Sequence, residues 1–276
     1  MNEAVLVWEW MLYLLDLPFV EAVVTIALVF SARRLSRHLH LRPFRHVWDV
    51  ILGNDKVISI VMADVPLAEF SISRVGAKSP LPTNVPLVGV QEAMAVSLLR
   101  EKLREVYKER PVRLVVSADF GSLSDSNFVS VGGPSVNGVA YSMLERHKID
   151  DQLRIVYPDH YAVDKADGEK YEAEMVDNAL CRDYGFIVVG PNPLDEQRVV
   201  CLFFGIWPPG TSAAIAALVD PDTKSELGRK LVTTIREKRR AVAVVETRVQ
   251  GLTPGTSRAI KVRDVVQPAA RRSTRV

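Results

Sequence analysis

The sequence predicts an α/β fold with three layers and a mixed sheet, and three observations carry that prediction. Short β-branched apolar runs, typical of buried strands, alternate with amphipathic segments of helical period. Two of these runs end in glycine-rich turns that lead into a helix, as at the strand ends of α/β sheets. The runs at 184–189 and 199–204 are joined by a short segment with two prolines, which favours an adjacent antiparallel pair.

Composition is that of an ordinary folded protein. The chain has 276 residues, of which 48% are hydrophobic and 25% charged, enough for one large domain or two small ones. The net charge is only +2, so we predict no nucleic-acid partner. We expect an α/β domain over 50–267 and a disordered tail over 268–276. Cys181 and Cys201 lie in apolar runs without CxxC spacing, which indicates buried free thiols.

The amino-terminal segment predicts contact with a membrane. Residues 4–30 are mostly apolar, and the chain turns abruptly basic from Arg33. We therefore expect a membrane anchor over 1–32, with membrane contact through 4–31. By the positive-inside rule, this is a single-pass protein of the cell membrane with its amino terminus outside and the α/β domain in the cytoplasm.

Three acids, Glu9, Asp16 and Glu21, interrupt that apolar segment and leave three arrangements open. One is a single anchor over about 5–30. Another is an interfacial helix followed by a short span, and the third is a helical pair buried against a partner. The sequence alone does not choose between spanning the membrane and lying on it.

A basic juxtamembrane linker is expected over 33–49. It contains three histidines, at positions 38, 40 and 46. The thiol that would complete a metal shell is missing nearby, and Asp49 is the only close carboxylate, so we predict no metal site.

The first half of the domain gives four strands and two helices. The run KVISIVMA at 56–63 suits a buried strand, and a proline-rich loop follows at 76–86. An amphipathic helix is expected over 87–110, because apolar and charged residues alternate with helical spacing and Pro111 stops it. Further elements follow: strands at 112–116 and 128–131, a polar turn at 117–126 between them, a helix at 135–148, and a strand at 153–157.

The second half contains the predicted antiparallel pair and ends in strands. A strand at 161–163 precedes a hairpin signal at 166–168. An alanine-rich helix is expected over 211–219, and Pro221 stops it. A second helix over 225–240 has Asp222 or Thr223 as its N-cap. Strands at 241–250 and 259–266 then flank a turn at 253–255.

Two glycine turns are the candidate ligand site, because a helix amino terminus with bare backbone N–H groups can hold an anion. The first turn contributes Gly132, Gly133 and Asn137. Glycines allow close backbone approach, and the asparagine either contacts the ligand or caps the following helix. The second turn contributes four further residues, Gly205, Gly210, Thr211 and Ser212.

Neither turn fits a known nucleotide fingerprint. The second has the spacing G-x-x-x-x-G-T-S, with Thr211 in the place of the P-loop lysine, and two prolines that lack N–H groups. The first does not give G-x-G-x-x-G. We therefore predict no ordinary NTPase and no cofactor, and expect instead a small anionic, nucleotide-like ligand.

The segment from Val129 to Asn137, together with the Gly-x-x-x-x-Gly-Thr-x-Ala-Ala turn at 205–214, resembles a group of Rossmann-like domains. Similar domains occur in archaeal surface-layer proteins and in small membrane-attached bacterial proteins. The resemblance covers about 110–250. It implies a Rossmann-like fold and a ligand cleft, without a reaction. The membrane-like amino-terminal segment and the expected cytoplasmic orientation argue against a surface-layer role.

Three functions remain open at this point. The first is a membrane-anchored sensor or scaffold whose α/β domain binds a nucleotide-like ligand. The second is an enzyme acting on a nucleotide or sugar phosphate, with Asp159, His160 or Glu92 as acid or base. The third is a protein–protein assembly module without a ligand. Whether the chain forms a homo-oligomer also stays open.

Overall fold

An eight-stranded sheet organises the part of the chain that the structure, a computed structural model, describes: residues 18–63, 90–146, 149, 153–156, 161–219, 226–237, 240–251 and 253–265. The helices are α1 (Pro18–Leu52), α2 (Val90–Val106), α3 (Gly138–Arg146), α4 (Pro208–Val219) and α5 (Glu226–Arg236). The strands are β1 (Ile58–Met62), β2 (Val112–Val116), β3 (Phe128–Val131), β4 (Leu153–Val156), β5 (Tyr161–Asp164), β6 (Lys170–Glu172), β7 (Glu174–Val176), β8 (Ala179–Asn192), β9 (Asp195–Gly205), β10 (Arg240–Gln250) and β11 (Thr253–Val265).

The main sheet is mixed, as predicted. Its strand order is β11-β10-β8-β9-β3-β1-β2, and β7 pairs with the beginning of β8. Strands β2, β1, β3 and β9 are parallel, whereas β8, β10 and β11 join by antiparallel pairing. The predicted antiparallel pair is β8 and β9, whose strands are longer than the apolar runs alone indicated.

The α/β unit has three layers, because the two faces of the sheet carry different elements. On one face, α3 and the 3₁₀ helix Ser117–Leu123 pack with the small antiparallel sheet β4-β5-β6. Phe186 and Phe204 point into this layer and stack at 5.1 Å. On the other face, α4 packs closely against β8 and β9 and also contacts α2. The described residues therefore form an α/β fold with helices on both sides of a mixed sheet.

Helix α1 crosses a division of the chain into two compact units, Met1–Pro43 and Phe44–Val276. In the first unit, every described side chain from Ala22 to Arg33 is exposed, including Leu28 at 64% and Phe30 at 67%. None of the helices in the described ranges has the length and apolar character needed to span a bilayer. Residues 1–17 of the predicted anchor lie outside the described residues.

The end of α1 belongs to the core of the α/β unit. Phe44 and Trp48 are buried and stack at 5.5 Å, and Trp48 also stacks with Phe203 of β9. The indole Nε1 of Trp48 donates to the carbonyl oxygen of Leu218 in α4 at 3.1 Å. The predicted linker over 33–49 is thus part of one continuous helix, whose last turns supply large side chains to the core.

The structure adds one sheet and shifts two boundaries relative to the sequence-based predictions. The strands predicted around 153–163 form the separate small sheet and do not join the main one. The helix predicted over 225–240 is α5, which ends at Arg236. Arg240 instead begins β10, because the buried apolar residues that follow it pair with the sheet. The turn predicted at 253–255 lies instead at Gly251, whose φ of +64° suits a tight turn, while Pro254 is accommodated in the edge strand β11.

Two further predictions concern the cysteines and the carboxyl-terminal tail. Both cysteines are free thiols; Cys201 is buried, as expected, whereas Cys181 is only partly buried. The predicted tail at 268–276 lies outside the described residues.

Candidate ligand site

The seven predicted ligand residues all lie near the carboxyl ends of two neighbouring strands. Gly132 and Gly133 follow β3, and Gly205 ends β9, which runs parallel beside it. The backbone N–H of Gly132 donates to the carbonyl oxygen of Phe203 at 2.9 Å. The other four residues follow these strands, at the amino ends of the helices on either face: Asn137, Gly210, Thr211 and Ser212.

The two turns lead to opposite faces of the sheet. From β3 the chain enters α3, which packs on the face with Phe204, whereas from β9 it enters α4 on the opposite face. The amino ends of α3 and α4 are therefore separated by the sheet itself. The structure brings the starts of the two turns together at one edge, but it does not aim both helix ends at one point.

Gly132 lets the first glycine turn pack closely against Ala63, which directly follows β1. Its φ is +113°, a conformation that favours glycine, and a Cβ at this position would lie 2.7 Å from the Cβ of Ala63. The N–H of Ala63 donates to the carbonyl oxygen of Val131 at 3.1 Å, so the ends of β1 and β3 stay paired up to the turn. A side chain at position 132 would push the two strand ends apart.

Asn137 is a buried cap of α3. Its Oδ1 accepts hydrogen bonds from the N–H groups of Val139 and Ala140, at 3.0 and 3.3 Å. Its Nδ2 donates to the Oγ of Ser130 at 3.0 Å and to the carbonyl oxygen of Val131 at 2.8 Å. An asparagine amide has two N–H donors and one oxygen acceptor, so these four bonds use its full capacity. The capping role weighed from the sequence is the one this geometry displays.

The second turn is built for close packing of α4 on the sheet. A Cβ on Gly205 would lie 2.4 Å from the carbonyl oxygen of Trp207, and one on Gly210 would lie 2.3 Å from that of Tyr184. A Cβ on Gly185 of β8 would meet the Gly210 carbonyl oxygen in turn. Thr211 is buried beside them. Three glycines therefore let backbone touch backbone where α4 begins.

Ser212 links two helices of the same face. Its hydroxyl donates to the carbonyl oxygen of Gln91 in the first turn of α2, at 3.4 Å. Glu92 follows in that turn, and burial raises the pKa of its carboxyl. The other two acid–base candidates, Asp159 and His160, lie outside the described residues.

Asp183 is the residue that sequence reasoning missed. It is fully buried in β8, and its carboxylate accepts hydrogen bonds from three backbone N–H groups. Gly210 donates at 2.6 Å, Tyr184 at 2.8 Å and Trp207 at 3.2 Å. Burial raises the pKa of Asp183 to about 7, although these three amides act in the opposite direction.

The Asp183 carboxylate thus takes the place at the amino end of α4 where an external anion would bind. The sequence carried one signal for it. An acid stands next to the buried run 184–189, and a carboxylate in such surroundings needs donors from a neighbouring element. What the sequence could not show is the register of the β8–β9 pair, which places Asp183 level with the α4 turn.

A groove of about 690 Å³ lies along β2, the edge strand of the parallel half of the sheet, and the 3₁₀ helix that follows it. Arg113, Val115 and Asp119 are among its lining residues, and none of the seven predicted residues is. Within the described ranges, no group of three or more histidine, cysteine or acidic side chains is arranged to hold a metal ion.

The fold places the described residues in the α/β class, with the carboxyl ends of the adjacent parallel strands β1 and β3 at one edge of the sheet. The sequence matches no protein-family model and no curated protein.

Proposed function

We propose that the chain is a membrane-anchored protein whose Rossmann-like α/β unit binds a small anionic, nucleotide-like ligand, in a sensor or scaffold role. In this proposal the α/β unit lies in the cytoplasm, and the amino terminus lies outside a membrane that the chain crosses once. The ligand occupies the crevice between β1 and β3, beside Gly132 and Gly133, and the amino-terminal helix holds the protein at the bilayer.

One observation carries the ligand proposal: the carboxyl ends of β1 and β3 lie at a topological switch point. From β1 the chain passes through α2 to β2 on one side. From β3 it leaves through α3 and the small sheet and rejoins the main sheet on the other side, where β8 leads directly into β9. Connections that leave adjacent parallel strands in opposite directions open a crevice at the strand ends, and ligands of open α/β sheets bind there. The first glycine turn borders this crevice.

The exposed apolar side chains of α1 support the proposed membrane attachment. Nine consecutive residues without charge, Ala22 to Phe30, are exposed in the first unit. Because consecutive helical residues point in all directions around the axis, this stretch is apolar on every side, as in helices that are surrounded by apolar groups. At 1.5 Å per residue the uncharged run to Ala32 is ~16 Å long, about half the hydrocarbon thickness of a bilayer, so the proposed crossing also needs residues before Ala22.

Thermal unfolding of the full chain in detergent micelles tests the ligand proposal, against nucleotides, cyclic nucleotides and sugar phosphates. A ligand that binds only the native state raises the melting temperature. We expect Ser135→Asp, which adds a negative charge at an exposed position of the first glycine turn, to abolish the rise. The matched control is Ser124→Asp, an exposed serine before the amino end of β3, which should keep it. Equal shifts in both variants, or no shift in the wild-type chain, would overturn the proposed site.

Flotation with vesicles of neutral phosphatidylcholine tests the anchor separately. Wild-type chain, diluted from detergent, should float with the vesicles, and Leu28→Asn with Phe30→Asn should reduce that fraction at least tenfold. The control pair is Met94→Asn with Leu98→Asn, which changes two exposed apolar residues of α2. Loss of flotation in the control pair alone would contradict an anchor at 22–30.

A second candidate, an assembly module at the membrane without a small ligand, is favoured by the two internal caps. Asn137 satisfies the first amides of α3, and Asp183 satisfies those of the α4 turn. A site evolved for an external anion would keep such donors open. A well-folded chain that shows no thermal shift with any of the compounds, but still floats with vesicles, would support this candidate over the first.

A further inference from the structure

A purely basic stretch follows the apolar run on the same helix. Between Ala22 and Trp48 the sequence has five arginines and no acidic residue, and the first lysine of the chain is Lys56. The side chains of Arg33 and Arg42 are exposed. Arg45 is engaged elsewhere, because its guanidinium donates to the carbonyl oxygen of Val106 at 3.0 Å. The part of α1 from Ala22 to Pro43 therefore contains four arginines and no acidic residue.

The spacing of these arginines fits the polar layer of a bilayer. Helix α1 continues without interruption from the apolar run through 33–42. At 1.5 Å per residue, Arg33, Arg34 and Arg37 fall within ~6 Å along the axis. The headgroup region on each side of the hydrocarbon is about 5 to 8 Å thick. A helix standing upright with 22–32 in the hydrocarbon would place three arginine backbones at headgroup depth.

The basic residues of this stretch are arginines and not lysines, which favours phosphate as the group that they bind. A guanidinium presents a planar fork of N–H donors that binds two phosphate oxygens at once, whereas an ammonium acts as a point charge. Anionic lipids also create a negative surface potential that attracts basic segments close to the membrane. The charge, its position beside the apolar run and its chemistry all match a layer of negatively charged phosphate headgroups.

We propose that Arg33, Arg34 and Arg37 bind the headgroups of anionic phospholipids, and that the protein therefore prefers anionic bilayers to neutral ones. This inference rests on the proposed membrane attachment and adds the lipid class to it. The apolar run contributes binding to any bilayer, while the arginines select the headgroup.

The test is flotation of the full chain with two sets of vesicles at low salt, phosphatidylcholine alone and phosphatidylcholine mixed with phosphatidylglycerol. Each basic residue near an anionic surface contributes about fivefold in affinity. Arg33→Gln with Arg37→Gln should therefore weaken binding to anionic vesicles by roughly 25-fold and leave binding to neutral vesicles unchanged. The charge-conserving pair Arg33→Lys with Arg37→Lys should retain most of the preference. Arg104→Gln with Arg229→Gln, two exposed arginines of α2 and α5, is the matched control.

The outcomes separate this inference from the proposed function. Stronger binding to anionic vesicles that is lost in the glutamine pair, kept in the control pair and weakened by added salt supports the inference. Equal binding to both vesicle types would overturn headgroup selection while leaving the anchor intact. Loss of preference in the control pair as well would overturn the assignment to these three arginines. Failure to float with either vesicle would overturn the anchor and this inference together.

Discussion

The side-chain carboxyl oxygen of Asp183 accepts a hydrogen bond of 2.6 Å from the backbone N–H of Gly210, so that β8 supplies a hydrogen-bond acceptor at the amino end of α4. We expect Asp183→Ala to destabilise the protein by roughly 3 kcal/mol, because it leaves buried N–H groups without their acceptor. Urea unfolding of both chains measures the change. Asp119→Ala, at an exposed acid of the 3₁₀ helix, should alter stability by less than about 0.5 kcal/mol. Similar small effects in both variants would contradict the capping role.

Stability should also depend on pH through Asp183. Its pKa is about 7 in the folded chain and 3.8 in the reference state, so the folded form holds the proton more tightly. The resulting stabilisation is complete below about pH 4, declines as the pH rises, and is lost above about 7; its full size is roughly 4 kcal/mol. Urea unfolding at several pH values between these limits should therefore show that Asp183→Asn removes this decline. Parallel pH profiles for the two chains would refute the raised pKa.

Gly210 should tolerate no side chain. A Cβ would lie 2.3 Å from the backbone oxygen of Tyr184, so Gly210→Ala must move α4 away from β8. We expect a loss of about 2 to 3 kcal/mol from this overpacking. Gly138→Ala is the matched control, because no atom lies within 4 Å of its Cβ, and it should be neutral or stabilise by up to about 1 kcal/mol. Thermal and urea unfolding of both variants decide between these expectations.

Lys261 holds the β5–β6 hairpin against β11. Its Nζ lies 2.8 Å from the buried carboxylate of Asp164 and also contacts Asp167 and Glu169. Lys261→Met should cost about 2 to 3 kcal/mol, since a buried carboxylate loses its cation. Lys102→Met, which removes a partly exposed helix pair with Glu105, should cost less than about 0.5 kcal/mol. Equal costs, measured by urea unfolding, would count against the hairpin contact.

The sequence was a good guide to the fold and a partial guide to the site. Local signals sufficed for β2 and β3, whose bounds match the apolar runs. They also predicted α4 and its end at Val219, but α4 begins at Pro208, three residues before the predicted start, because two prolines suit a first helical turn. The antiparallel pairing of β8 with β9 followed from a short connection. Longer-range outcomes did not follow from such signals: the separate small sheet depends on packing against α3, which no local pattern encodes.

The candidate site shows the same limit. Glycine turns at strand ends were recognisable, but the partners of those turns come from other parts of the chain. Asp183 is distant in sequence from Gly210, and Ala63 is distant from Gly132, yet these contacts decide what each glycine does. Whether the crevice beside Gly132 holds a ligand stays a prediction.

The two halves of the main sheet differ in the sequence distance that their pairing must bridge. Strands β8 and β9 are joined through a tight turn, and β10 and β11 likewise, whereas β3 meets β9 with Phe128 opposite Val200, 72 positions later. Closing such a distance before any contact forms is slow. We therefore expect folding to begin in the two antiparallel ribbons and to end with the parallel strands. Core substitutions in β1 should then speed unfolding far more than they slow folding.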